Sequence, residues 1–359
     1  MPRLELDTAA GAGEVRAFAE RVARAPSALR GLAEARPGTT PRSCVWQRDA
    51  VRLYRYGAQR ESAGEPLLIV YALVNRPEMA DLESGRSLVA GLVERGRDVY
   101  LLDWGYPGAA DAGLGLADYL GRYLDGAVDY LRGELGRARL PLLGICQGGT
   151  FALCYAALHP DKVERLVLSV TPVDFHTPDD ALSHLARHID VEALVAAHGN
   201  LAGDWLNALF LALKPYQLLQ QKYLRFLDHV DDRAASATFL RMEHWIFDSP
   251  ALAARMTREF AVEFYQRNAL VAGTLAIAGH PVRLAAVTMP VLNIYARDDH
   301  LVPPAASRAL AALVGTRDYC EHELAGGHIG IYVGSRAARP VAAVVAEWLG
   351  TAVGAAGER

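Results

Sequence analysis

Five stretches of this chain are predominantly apolar, with few polar residues: EPLLIVYALV (65–74), RDVYLLDWG (97–105), LPLLGIC (140–146), RLVLSVTP (165–172) and PVLNIYA (290–296). A strand that is apolar on both faces has to be covered on both faces. That confines it to a sheet lying between two layers of helices. The text between the runs supplies those layers. Leu88, Val89, Leu92 and Val93 recur at helical spacing within 84–95, residues 116–131 are helical, and 149–159 reads as a helix stopped by Pro160. The alternation predicts an α/β fold with a mostly parallel sheet flanked by helices.

Two segments depart from this rhythm. Near the N-terminus, Val15, Phe18, Ala19 and Val22 fall at i, i+3, i+4 and i+7, an amphipathic helix within an N-terminal segment 1–44 that Gly38 and Pro41 break. CVWQRDAVRLYRY (44–56) then reads as two short strands around Arg48–Asp49, a hairpin at a sheet edge. The core is expected over 45–175 and 286–359. Between these parts, 176–285 is mostly helical and carries aromatics throughout, Trp205, Phe210, Tyr223 and Trp245 among them. Each aromatic alone suits an ordinary core position. As a block, a helical insertion between late strands of an α/β sheet suits a cap or lid over a site.

Composition narrows the function classes. With 52% apolar and 22% charged residues the chain can bury a large core. Its 37 basic and 41 acidic residues give a net charge of −4, without a bias toward nucleic acid. Four cysteines, none in a CxxC pair, form neither a disulfide framework nor a zinc site. No apolar signal segment is evident, and the longest apolar run, Leu67–Val74, has eight residues. A bilayer span needs about 20. The expectation is a cytoplasmic protein with reduced thiols, no transmembrane segment and no metal.

GICQGGT (144–150) carries the most chemistry. It stands where a buried strand runs into a helix, in the G-x-S-x-G pattern of a nucleophile elbow, with Cys146 in the serine position. A nucleophile on so tight a turn needs small neighbours, so that strand and helix can pass closely. The turn aims the Gln147 backbone N–H at a substrate carbonyl oxygen. Such a site needs an acid and then a histidine later in the chain, each after a strand. LNIYARDDHLVPP offers Asp298 and Asp299, of which Asp299 is preferred, and ELAGGHIGIYVG offers His328 behind two glycines. The second oxyanion donor is expected in the loop after the run 67–74, as the N–H of Val74 or Asn75. Asn75 and His300 are candidate substrate-binding residues, each with a plain turn-forming role as the alternative. His184 and His188 share a helix face, but SHLARH lacks the glutamate and third ligand of a zinc site. GLGLAD (113–118) lacks the context of a dinucleotide fingerprint.

Longer strings bring in a resemblance. YALVNRPEMADL, GICQGGTFALCYAALHPDKV, VTPVDFHTPD, KPYQL with QKY, RMEHWIFDSP, LNIYARDDHLVPP and GGHIGIYV, in order over about residues 45–350, closely resemble the short catalytic subunit of polyhydroxyalkanoate synthases. The GICQGG box is most similar to the two-component class III enzymes. The resemblance implies an α/β-hydrolase fold with a helical cap and a triad of Cys146, Asp299 and His328. It implies a short-chain (R)-3-hydroxyacyl-CoA substrate, typically 3-hydroxybutyryl-CoA, with polyester and free CoA as products and no cofactor. It further implies a non-catalytic partner subunit of the PhaE type, ahead of the PhaR type, a homodimer of catalytic subunits, and a nascent chain on cytoplasmic granules.

The residues fit that chemistry in their own right. Exchange between a cysteine thiolate and a CoA thioester trades one thioester for another, so the acyl group stays activated. A serine would form an oxygen ester and lose that driving force. The same triad with water as acceptor would make a thioesterase or a dienelactone-type hydrolase, and a non-catalytic granule-coat protein is a third reading.

Overall fold

The structure, a computed structural model, describes residues 8–30, 32, 35–57, 64–334 and 338–351. The start of the expected N-terminal segment (1–7) and the Ala/Gly-rich tail beyond 351 lie outside the described residues. The edge hairpin is present as β1 (Arg42–Arg48) and β2 (Val51–Tyr56). Its turn is made by Asp49 at φ 53°, a left-handed conformation that aspartate tolerates. The apolar runs then form β3 (Glu65–Val70), β4 (Arg97–Asp103), β5 (Leu140–Ile145), β6 (Val163–Ser169) and β7 (Val291–Ala296). A last strand, β8 (Tyr319–Leu324), lies at the far edge.

The strand order is β1-β2-β4-β3-β5-β6-β7-β8. Strand β2 runs antiparallel to β1 and β4, and all other pairings are parallel. Burial alternates as a doubly covered sheet requires. Leu68 and Val70 of β3 join one apolar cluster, whereas Leu67 and Ile69 join the other. The helices are α1 (Thr8–Arg30), α2 (Leu88–Glu94), α3 (Asp125–Leu135) and α4 (Gln147–Leu158). Then come α5 (Ala181–Ala186), α6 (Val191–His198), α7 (Gly203–Leu213), α8 (Lys222–Asp228), α9 (Arg233–Phe247) and α10 (Ala254–Phe260). The last three are α11 (Pro304–Arg308), α12 (Gly330–Val333) and α13 (Ala338–Gly350).

Leu131 of α3 and Phe151 and Leu153 of α4 cover the first face. Leu88 and Leu92 of α2 and Val341 and Val345 of α13 cover the second. Each such fully buried side chain contributes about 1.5–3 kcal/mol. Local chemistry sets several boundaries. Ser87 caps α2 by accepting from the Ala90 N–H at 2.8 Å, and Gly136 ends α3 in a left-handed turn. Aspartates 180, 190 and 232 cap α5, α6 and α9 in the same way as Ser87.

Several expected boundaries shift. The run 65–74 is not one strand: β3 ends at Val70, and Tyr71–Val74 leave the sheet as a loop. β6 ends at Ser169, three residues before Pro172, because Val170 turns out of the strand at φ 45°. The helix expected over 116–131 opens with a π-helical turn at Asp118–Leu124 and runs on to Leu135. The amphipathic stripe of α1 does not face the core. The helix lies against α8 and α9, with Arg21 3.8 Å from Asp228 and Arg24 3.4 Å from Asp231. Val15, Phe18 and Val22 stay 70%, 41% and 44% exposed, so this stripe is solvent-facing.

All of α5–α10 falls between β6 and β7. Part of this block is fused to the core through rings: Phe260 stands 6.0 Å from Phe151 of α4, and Phe175 lies 5.0 Å from Tyr265. Among the described residues, no helix is long and apolar enough to cross a membrane.

Candidate active site

Cys146 occupies the single residue between β5 and α4, with φ 55° and ψ −128°. For a side chain with a Cβ this is a strained conformation, of order 1–3 kcal/mol. It is held by the sheet, since the Cys146 N–H donates to the Ser169 carbonyl at 2.9 Å. The glycines are required by contact. A Cβ on Gly148 would overlap the carbonyls of Val70 and Tyr71, and a Cβ on Gly149 would overlap the Thr171 hydroxyl. Only a bare backbone lets the start of α4 settle this close to β3 and β6.

The expected acid and base meet behind the sulfur. Asp299, after β7, is buried, and its Oδ1 accepts from the N–H groups of Leu301 and Val302, both at 2.9 Å. His328 Nδ1 donates to Asp299 Oδ2 at 2.7 Å. Asp298 is exposed and takes no part in this pairing. Cys146 lines the same cavity as His328, and its sulfur acts on the imidazole electrostatically. Burial works against the imidazolium, but the Asp299 carboxylate and the Cys146 sulfur outweigh it and hold His328 well above its ordinary range.

Facing the sulfur, the loop after β3 is tied to the elbow. The Leu73 N–H donates to Gln147 Oε1 at 3.0 Å, which removes Leu73 as an oxyanion donor. Among the described residues, the backbone N–H groups of Val74, Asn75 and Gln147 donate to no protein acceptor. Val74, Asn75 and Gln147 also line a cavity of about 460 Å³ that reaches Cys146, His300 and His328. Its remaining walls are largely apolar, with Trp205, Phe210, Leu218 and Trp245 from the cap.

The two expected substrate-contact residues differ in their commitments. His300 lines the cavity, and its buried Nε2 has no partner among the described residues. Burial, then the charge of Lys214, hold the imidazole below its ordinary range, with Asp299 opposing them. The Asn75 side chain already donates to Asn207 Oδ1 and to the Ile246 carbonyl, both at 3.3 Å. His184 bonds the Pro178 carbonyl at 2.9 Å. Among the described residues, no group of three or more His, Cys, Asp or Glu is placed to hold a metal.

Sequence reasoning missed Asn207 and Tyr332. Asn207 carried a signal, as the single amide within DWLNALFLAL. Tyr332 lies in the cavity wall with its hydroxyl 2.6 Å from that of Ser169, a long-range pairing with no local signature.

Comparison with known proteins places this geometry. The alpha/beta hydrolase fold family matches residues 65–335. The poly(3-hydroxyalkanoate) polymerase subunit PhaC of Allochromatium vinosum is 50% identical over 315 residues, covering 87% of this chain and 89% of that one. The subunit of the same name from Thiocystis violacea is 48% identical over 314 residues, covering 87% and 88%. Among solved structures, a monoacylglycerol lipase from Paleococcus ferrophilus superposes with a TM-score of 0.53 at 18% identity, covering 83% of this chain and 98% of that one, a likeness of fold. The chain belongs to the poly(3-hydroxyalkanoate) polymerase PhaC family, acyltransferases built on the alpha/beta hydrolase fold.

Proposed function

We propose that this chain polymerises short-chain (R)-3-hydroxyacyl-CoA, 3-hydroxybutyryl-CoA foremost, through a covalent thioester on Cys146. The observation that carries the reading is the buried Asp299–His328 hydrogen bond, with His328 and Cys146 both opening into one apolar cavity.

His328 takes the thiol proton of Cys146, and the sulfur attacks the acyl carbon. The oxyanion points to the N–H groups of Gln147 and Val74. The carbon–sulfur bond to CoA breaks, and the leaving thiolate takes the proton from His328. The 3-hydroxyl of another unit then attacks the Cys146 thioester, with His328 accepting its proton and Asp299 stabilising the imidazolium. The acyl carbon–sulfur bond to Cys146 then breaks, and that proton returns from His328 to the Cys146 sulfur. Each oxyanion donor contributes roughly 2.7–4 kcal/mol at the tetrahedral stage. Every step balances with the thioester, the triad and a hydroxyl, so the scheme calls for no cofactor. His300 and Asn75 border the acyl group.

The apolar walls support an ester chain, in preference to water, as the second nucleophile. The naming of the relatives as subunits supports a separate non-catalytic partner of the class III kind. A homodimer of catalytic chains working at a cytoplasmic granule surface completes the reading.

The test is incubation with 3-hydroxybutyryl-CoA, with and without a partner subunit, following free thiol and turbidity together. Thiol release with rising turbidity, lost in Cys146→Ala, is the expected result. Thiol release into a clear solution of monomeric acid would make water the acceptor and the chain a thioesterase.

A further inference from the structure

The loop that faces the sulfur is fastened to the cap as well as to the elbow. Val74 stands between two anchors. On its near side, Leu73 is held by Gln147. On its far side, Asn75 adopts a left-handed conformation with φ 58°, which asparagine tolerates better than most residues. Asn75 Nδ2 reaches Asn207 Oδ1 on α7 and the Ile246 carbonyl on α9. Asn207 Nδ2 donates to that same carbonyl at 2.5 Å, and Trp245 Nε1 donates to the Arg76 carbonyl at 2.7 Å.

This arrangement has a clear physical basis. Ile246 lies in the last turn of α9, where carbonyls lack helical partners and remain open to side-chain donors. Asn207 is 5% exposed on an otherwise apolar helix face. A buried amide there is costly unless satisfied, and an aliphatic side chain would suffice for packing alone. Joining α7 to α9 needs only the bond from Asn207 to Ile246. The arm to Asn75 reaches beyond the cap, into the residue next to Val74.

We propose that Asn207 is a positioning residue for acyl transfer: through Asn75 it fixes the Val74 N–H toward the acyl oxygen, so the oxyanion site is complete only with the cap in place. The inference rests on Cys146 being the acylated nucleophile.

The test compares two reactions at Cys146 in the full chain. Acylation by 3-hydroxybutyryl-CoA, read as pre-steady-state CoA release, builds an oxyanion. Alkylation by iodoacetamide, read on the Cys146 peptide, is a displacement at saturated carbon and builds none. In Asn207→Leu, acylation is expected to fall about 10- to 100-fold, the scale of a misplaced catalytic group, with alkylation unchanged. Asn75→Gly keeps the left-handed backbone and removes only the side-chain bonds, and the same split is expected. An equal fall in both reactions, or no fall in acylation, overturns the proposal. If the wild-type chain releases no CoA, the functional reading fails separately. p-Nitrophenyl butyrate, which needs the same donors at Cys146, then decides the role of the asparagines.

Discussion

Gln147 Oε1 accepts the backbone N–H of Leu73 at 3.0 Å, so the residue that follows the candidate nucleophile also holds the loop that faces it. One residue thereby serves both halves of the proposed oxyanion site, its backbone on one side and its side chain on the other. Gln147→Met keeps the length and loses the acceptor, leaving a buried N–H unsatisfied. A loss of about 1–3 kcal/mol in denaturant unfolding is expected. Gln147→Glu, which keeps an acceptor, should recover part of it. Equal stability of the methionine variant and the wild type would disprove the tie.

Asp299 divides its oxygens between two tasks, the N–H groups of Leu301 and Val302 on Oδ1 and His328 on Oδ2. Asp299→Asn can satisfy only one set through its carbonyl. Its amide group then turns toward His328 Nδ1 and forces the proton onto Nε2, where it blocks base catalysis. An alcohol needs that base more than a thiol does. Rapid-quench kinetics should show a surviving burst of CoA release followed by a steady rate lower by about 10²–10⁴. A missing burst would mean that Asp299 is also needed to ionise Cys146.

Gly149 has no room for a side chain beside Thr171. Gly149→Ala should cost about 1–3 kcal/mol from overpacking and slow acylation by displacing the elbow. Thr171→Gly, introduced with it, should return part of both losses. Strict additivity in this double-mutant cycle would show that the two residues do not press on one another.

His328 carries a pH signature. Burial disfavours its charge, yet Asp299 and Cys146 hold its proton affinity above the ordinary 6.5. The folded chain therefore keeps a proton that the unfolded chain has released, and the associated stability is full below pH 6.5 and lost as pH rises through the folded pKa. The melting-temperature gap between wild type and His328→Gln should be widest on the acid side and narrow steadily above neutrality. A gap independent of pH would remove the charged imidazole as a source of stability.

The sheet was legible because strands buried on two faces leave continuous apolar runs, and the elbow because Gly148, against the Val70 and Tyr71 carbonyls, and Gly149, against the Thr171 side chain, mark contacts that leave no room for a Cβ. Apolarity alone did not reveal where a run leaves the sheet. Tyr71–Val74 are as hydrophobic as the strand before them, because Tyr71, Ala72 and Val74 border an apolar cavity and Leu73 packs into the core. The α1 stripe predicted its helix but not its partner, since periodicity gives a helix its faces without saying which one finds a neighbour. The pairing of Asn75 with Asn207 spans 132 positions and leaves no periodic trace.

The block α5–α10 lies in the one connection that leaves the C-terminal end of β6 and returns to the N-terminal end of its parallel neighbour β7, so no other strand of this sheet is threaded between its ends. Such an insertion behaves as a cassette. Its length and lining can be exchanged without re-registering a single strand, while Cys146, Asp299 and His328 stay on the chassis beneath. Diversification of acyl preference by recombination of this block would then be constrained mainly at its docking points, with the seat of Asn207 against the loop as the part a graft has to reproduce.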